Sequence, residues 1–111
     1  MNAPGGVDVG AAGEFPEGRA VRVDAAGVPV AVVRIGEDFL AVADRCSHAD
    51  VALSEGEVDC ATREIECVRH GSAFSLVTGA PSTLPATQPV AVYPVRVRGD
   101  RVIVEIEGSR P

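Results

Sequence analysis

Cys46-Ser47-His48 and Cys67-Val68-Arg69-His70-Gly71-Ser72-Ala73-Phe74 are the two stretches on which the reading of this chain turns. Together they use two of the three cysteines and both histidines in a chain of 111 residues. Each half offers one thiolate and one imidazole. Positions 49–66 between them suffice for one loop, a return through a sheet and a second loop. Two cysteines and two histidines can hold a tetrahedral zinc ion, or a [2Fe–2S] cluster in which one iron takes both thiolates and the other both imidazoles. The residue types alone leave both open. Their arrangement favours the cluster, because a common zinc finger groups its cysteines in one half and its histidines in the other. Mixed halves let two loops meet across a dinuclear centre, each sending a Cys to the inner iron and a His to the outer one.

Working outward, the segments around these loops read as strands. Ala20 to Asp24 alternates, Ala26-Gly27 turns the chain, and Val28 to Ile35 returns. Gly36-Glu37-Asp38 breaks that run, and Phe39 to Ala43 completes a hairpin that leads into Cys46. Glu64 to Cys67 is a short strand delivering the second loop, and Ala73 to Val77 carries the chain away from it. Val95, Val97, Val102, Val104 and Ile106 alternate with polar residues around Arg98-Gly99-Asp100-Arg101, the clearest hairpin of the chain. No segment longer than about ten residues has a helical period. These signs predict an all-β fold, a small antiparallel β-sandwich or barrel. Residues 1–13, rich in Gly and Ala, read as a flexible lead-in with room for one short strand around Val7 to Val9, and residues 14–111 as a single domain.

Composition narrows the partners. Aromatic residues make up only 4% of the chain, so the core must be built from Val, Ala, Ile and Leu. A formal net charge of −6 argues against nucleic acid or an anionic membrane surface as a partner. Met1-Asn2-Ala3-Pro4-Gly5-Gly6 has neither a basic residue nor a following apolar run, and stretches such as Val28 to Val33 are too short to cross a bilayer. The expectation is a cytoplasmic monomer. Once the two motifs have taken their cysteines only Cys60 remains, which excludes an intramolecular disulfide framework and fits a reducing compartment. Cys60 itself reads as a small, buried or half-buried apolar residue rather than a further ligand or a redox thiol.

From about Val28 to Ile106 the chain resembles the Rieske family, through Cys46-x-His48, Cys67-x-x-His70-Gly71-Ser72-x-Phe74 and Thr78-Gly79-Ala80-Pro81. The resemblance implies the Rieske fold, with a cluster-binding subdomain over about residues 45–85 at one end of the sheets. It implies one [2Fe–2S] cluster per chain, held by Cys46, His48, Cys67 and His70, with Pro81-Ser82-Thr83-Leu84-Pro85 as a stiff loop covering it. Gly71 and Gly79 would permit tight turns beside the cluster. Histidine ligation removes two negative charges relative to an all-cysteine cluster and raises the potential into a range of roughly −150 to +300 mV. In the high-potential relatives a disulfide ties the two loops together, and a serine and a tyrosine hydroxyl donate to the cluster. Here Val51 and Arg69 stand at the disulfide positions and Phe74 at the tyrosine position, while Ser72 matches the serine. The resemblance therefore implies a potential near the low end.

Four protein ligands leave the iron no open position, so it can exchange electrons but not bind a substrate. A Rieske oxygenase also needs a mononuclear iron with two further histidines, and none is left; nor is there a Gly-x-Gly-x-x-Gly fingerprint for a flavin or nicotinamide. The chain is thus expected not to be an enzyme. It most resembles the ferredoxin component of multicomponent aromatic-ring dioxygenases, a one-electron carrier between a flavin-containing NAD(P)H reductase and a terminal oxygenase. His48 and His70 would form the electron exit, and Asp50, Glu55, Glu57 and Asp59 an acidic rim for basic partners. Two other readings stay open. One is a Rieske-like small subunit of an assimilatory reductase such as nitrite reductase, or a ferredoxin serving iron–sulfur assembly. The other is a zinc-stabilised interaction domain.

Overall fold

The structure, a computed structural model, describes residues 6–45, 51–68, 71–82 and 88–106. Among them, ten strands form three antiparallel sheets. The first sheet has the order β1-β10-β9, from Gly6–Ala11, Arg101–Glu105 and Val95–Arg98. The second has the order β2-β3-β4-β8, from Ala20–Ala25, Val28–Ile35, Asp38–Ala43 and Val92–Tyr93. The third has the order β5-β6-β7, from Val58–Asp59, Glu64–Glu66 and Ala73–Ser75. The all-β expectation is met, and each hairpin read from the sequence is present.

Local chemistry sets the registers. Ala25 pairs with Val28 across the two-residue turn Ala26-Gly27, which is closed by the Gly27 N–H donating to Asp24 Oδ1 at 2.6 Å. Ile35 pairs with Asp38 across Gly36-Glu37, and Arg98 with Arg101 across Gly99-Asp100. Two-residue turns fix the pairing without slack, so the inward and outward residues of each strand are determined.

β3 shows how the layers stack. Val30, Ala31, Val32 and Val33 are all wholly buried. Val30 and Val32 join Phe15, Ala41, Val102 and Val104 in one core, while Ala31 and Val33 join Val42, Leu53, Ile65, Cys67, Phe74 and Leu76 in another. A strand covered on both faces needs a continuous apolar run rather than alternation, which is what Val28 to Val33 supplies. The second sheet is therefore the middle layer. The first sheet covers one of its faces, and the third sheet, which carries Cys67 at the end of β6, covers the other. The chain changes sheets at Pro94, whose carbonyl accepts the Glu105 N–H at 2.8 Å.

The segment read as a flexible lead-in departs from expectation. From Gly6 it forms β1, six residues long and paired with β10, because Val7 and Val9 pack against the Val102 and Val104 core. The strand suggested around Val7 to Val9 is thus longer and tied down. Asp8 anchors it, with Arg101 Nε 3.0 Å from Asp8 Oδ2. That hydrogen bond, chiefly, holds the Asp8 carboxyl below its ordinary value. A depressed folded pKa gives stability that is present above the unfolded value, about 3.9, and lost as pH falls through the lower folded value. Below about pH 4, Arg101→Ala should accordingly flatten the fall of Tm with pH, measured by thermal melts from pH 5 to pH 2. The pair is exposed, so the effect is small; equal slopes in the two proteins would refute it.

Candidate metal centre

Cys67 is wholly buried and sits where β6 ends. Ile65 and Phe74 face each other across β6 and β7 and point inward with it, so the thiol lies among Leu53, Ile65, Phe74 and Leu76. The turn that follows is closed twice at its base. The Cys67 N–H donates to the Ser72 carbonyl at 2.7 Å, and the Gly71 N–H donates to the Cys67 carbonyl at 2.9 Å. Gly71 stands at φ +74, a left-handed conformation that a side chain resists, so glycine is what lets the turn re-enter β7. Ser72 is buried at that point. Val68, by contrast, is 59% exposed, so within two positions the turn passes from core to surface. A thiol at the dry base followed at once by an exposed Val68 fits a centre whose thiolate iron is inner and whose imidazole iron is outer.

The first motif is framed by residues that sequence reasoning passed over. Asp44, at the end of β4, is 3% exposed although it carries a charge. Its Oδ1 accepts the Ser54 N–H at 2.6 Å, and its Oδ2 accepts the Ser54 hydroxyl at 2.7 Å and Arg22 Nη1 at 3.1 Å. Ser54 belongs to a single turn of 3-10 helix, Leu53–Glu55, pinned by the buried Leu53. A signal existed in the sequence, since Val42 points into the core that contains Cys67 and strand alternation puts Asp44 on the same face. A carboxylate at an inward position two residues before a proposed ligand calls for partners.

Of the four residues expected to bind metal, Cys67 lies in the described part; Cys46, His48 and His70 fall outside it. Asp50, Arg69 and residues 83–85 of the expected covering loop are outside it as well. Pro81 and Ser82 are inside: Pro81 bridges Phe74, and the Ser82 N–H donates to the Ala73 carbonyl at 2.8 Å. Among the described residues no three metal-binding side chains converge.

Cys60 corrects an expectation. It is exposed rather than buried, because it begins the turn that follows the short edge strand β5, where no layer covers it. It borders an open groove of about 470 Å³ with Glu57, Asp59, Glu64 and Glu66. Glu55, Glu57 and Asp59 of the expected acidic rim are all exposed, and Glu66 adds a further exposed carboxylate. Asp59 stands directly opposite Glu64 in the ladder, a like-charge pairing that costs the sheet stability.

The middle sheet, the buried thiol and the twice-closed turn define a small layered β-protein with a cysteine held at the base of a turn. The chain belongs to the Rieske family: residues 6–94 match the Rieske [2Fe–2S] domain. It is 40% identical over 99 residues to the 3-phenylpropionate/cinnamic acid dioxygenase ferredoxin subunit of Shigella flexneri serotype 5b (strain 8401), covering 88% of this chain and 91% of that one. The ferredoxin of carbazole 1,9a-dioxygenase from Nocardioides aromaticivorans IC177 superposes with a TM-score of 0.87 at 36% identity, over 89% of this chain and 95% of the other. A ferredoxin solved in complex with the oxygenase of carbazole 1,9a-dioxygenase superposes with a TM-score of 0.84 at 38% identity, over 93% and 94% of the two chains. The iron–sulfur reading and the fold expected from the two motifs agree with these relatives.

Proposed function

We propose that this protein is a one-electron carrier, the ferredoxin component of an aromatic-ring dioxygenase system, with one [2Fe–2S] cluster held by Cys46, His48, Cys67 and His70 within a subdomain of about residues 45–85. The observation that carries the reading is the match with dioxygenase ferredoxins along nearly their whole length, 91% and 95% of those chains. A bound cluster would take up one electron from a flavin-dependent NAD(P)H reductase and give it to a terminal oxygenase, with no substrate chemistry of its own. The residues of this chain do the rest. Cys67 offers a thiolate from a dry site, the closed turn from Cys67 to Ser72 sets where that thiolate stands, and the mixed motifs divide thiolate from imidazole iron. Electron exit would lie on the side of the imidazole iron, where the mixed motifs put His48 and His70. The exposed carboxylates Glu55, Glu57, Asp59 and Glu66 would meet basic partner surfaces, which favours fast encounter. A cytoplasmic location is part of this proposal; among the described residues no helix is long and apolar enough to cross a membrane.

An electron paramagnetic resonance spectrum of the dithionite-reduced protein tests the reading. The expected result is a signal with the low average g of histidine-ligated clusters and a potential near the low end of roughly −150 to +300 mV. A potential well above zero would contradict the inference drawn from Val51, Arg69 and Phe74. An iron-containing protein that shows no such signal, or a colourless one holding equimolar zinc, would overturn the cluster itself.

A further inference from the structure

We infer that Asp44 is a positioning residue for the first ligand loop: its carboxylate straps together the two ends of the segment that carries Cys46 and His48. The inference rests on the reading of those two residues as ligands. Asp44 precedes the segment and Ser54 follows it, and two hydrogen bonds join them, to the Ser54 N–H at 2.6 Å and the Ser54 hydroxyl at 2.7 Å. Arg22, from β2, adds a third donor at 3.1 Å. The Asp44 N–H is itself held by the Pro29 carbonyl at 3.1 Å, so the strap is fastened to the middle sheet rather than to another loop.

The chemistry requires a carboxylate. Three donors converge on two oxygens, and only an acceptor-only group satisfies all of them. An asparagine would turn an NH2 toward either the Ser54 N–H or the Arg22 guanidinium, neither of which can accept. Stability alone does not account for the choice. Val42 shows that this face is otherwise apolar, and Arg22, 55% exposed, can be solvated without Asp44, so the ion pair alone does not account for a carboxylate here. What the carboxylate supplies, and an apolar residue cannot, is directed bonds across the base of the loop. The loop ends are then fixed before metal arrives, and the ligands are not left to find each other. Outer groups that orient metal ligands are worth about 10–100-fold in metal affinity.

The test compares Asp44→Asn, Ser54→Ala, Ser54→Thr and the double variant D44N/S54A with Val104→Ala, which weakens the core on the opposite face of the middle sheet. Release of the bound metal to excess chelator is followed in each purified protein, together with Tm and the paramagnetic spectrum of the reduced state. Asp44→Asn is expected to release metal at least about tenfold faster than Val104→Ala at equal loss of Tm, and to broaden the spectrum, which Val104→Ala leaves unchanged. Ser54→Thr, which keeps the hydroxyl, should behave as the parent. The double variant should release metal no faster than Asp44→Asn alone, since both changes cut one strap. Release that merely tracks Tm in all variants, or effects that multiply in the double variant, would overturn the inference. If Asp44→Asn fails to fold, Ser54→Ala against Val104→Ala decides it by the same comparison. A parent protein carrying zinc would refute the carrier reading and leave this test intact, because the chelator assay follows either metal.

Discussion

Cys67→Ser is expected to abolish iron binding, taking the protein from about two irons per chain to almost none and from brown to colourless. The thiolate is one of the four proposed ligands and sits at the dry base of a turn closed on both sides, and among the described residues no other cysteine is buried. Serine keeps the size of the side chain but offers a hydroxyl that is not ionised at neutral pH, and burying that hydroxyl among Leu53, Ile65 and Phe74 costs about 1–3 kcal/mol. Circular dichroism should still report a folded β-protein, because the first sheet and the far face of the middle sheet do not depend on this position. Cys60→Ser is the paired control. Its side chain is exposed at the rim of the acidic groove, and iron, sulfide and colour should be unchanged. A Cys67→Ser protein that retained two irons would remove Cys67 from the ligand set; iron loss in Cys60→Ser would add a ligand to it.

The second large effect is steric. Gly56 has an ordinary φ of −90°, so handedness is not the reason for a glycine there. Space is the reason: a Cβ at this position would stand 1.6 Å from the Glu66 carbonyl oxygen and 2.8 Å from its carbon. Both are backbone atoms and cannot rotate aside. Glu66 is drawn against this same segment by its N–H donating to the Glu57 carbonyl at 2.9 Å, and the next residue is Cys67. Gly56→Ala must therefore push β6, and the thiolate with it, away from the 3-10 turn at Leu53–Glu55. A loss of about 3 kcal/mol or more is expected, which in a domain of this size lowers Tm by more than about 10 °C, with reduced iron content alongside. Gly13→Ala, where nothing lies within 4 Å, should shift Tm by only about 2–3 °C. A Gly56→Ala protein melting with the parent would show that the two segments are not in contact.

Much of this molecule was legible in its residues, for reasons that differ from part to part. The hairpins were readable because two-residue turns and alternating valines act over short distances, as in Val95 to Glu105. Membership of the Rieske family was readable because Cys and His are few and their grouping is chemically restrictive. Asp44 and Gly56 were not read, since each owes its role to a partner ten positions away in the chain, Ser54 and Glu66. The strand around Val7 to Val9 was legible but not the full extent of β1, because Gly and Ala look loose when seen alone; its valines become core only when β10, about ninety residues on, returns to pair with them. Cys60 was placed inside on the general habits of cysteine, whereas its exposure follows from β5 being a two-residue edge strand.

β3 serves two hydrophobic interiors at once, and this bears on how such a protein comes into being. A newly made chain must exist for a time without its inorganic centre. The interior formed by Phe15, Val30, Val32, Val102 and Val104 does not include Cys67, the proposed ligand that lies among the described residues, so half of the molecule can consolidate while the other half waits for iron and sulfide. The amides of Val30 to Val33 would then be the last to exchange with solvent in the unloaded protein, and assembly would meet a partly built receptacle rather than a loose chain.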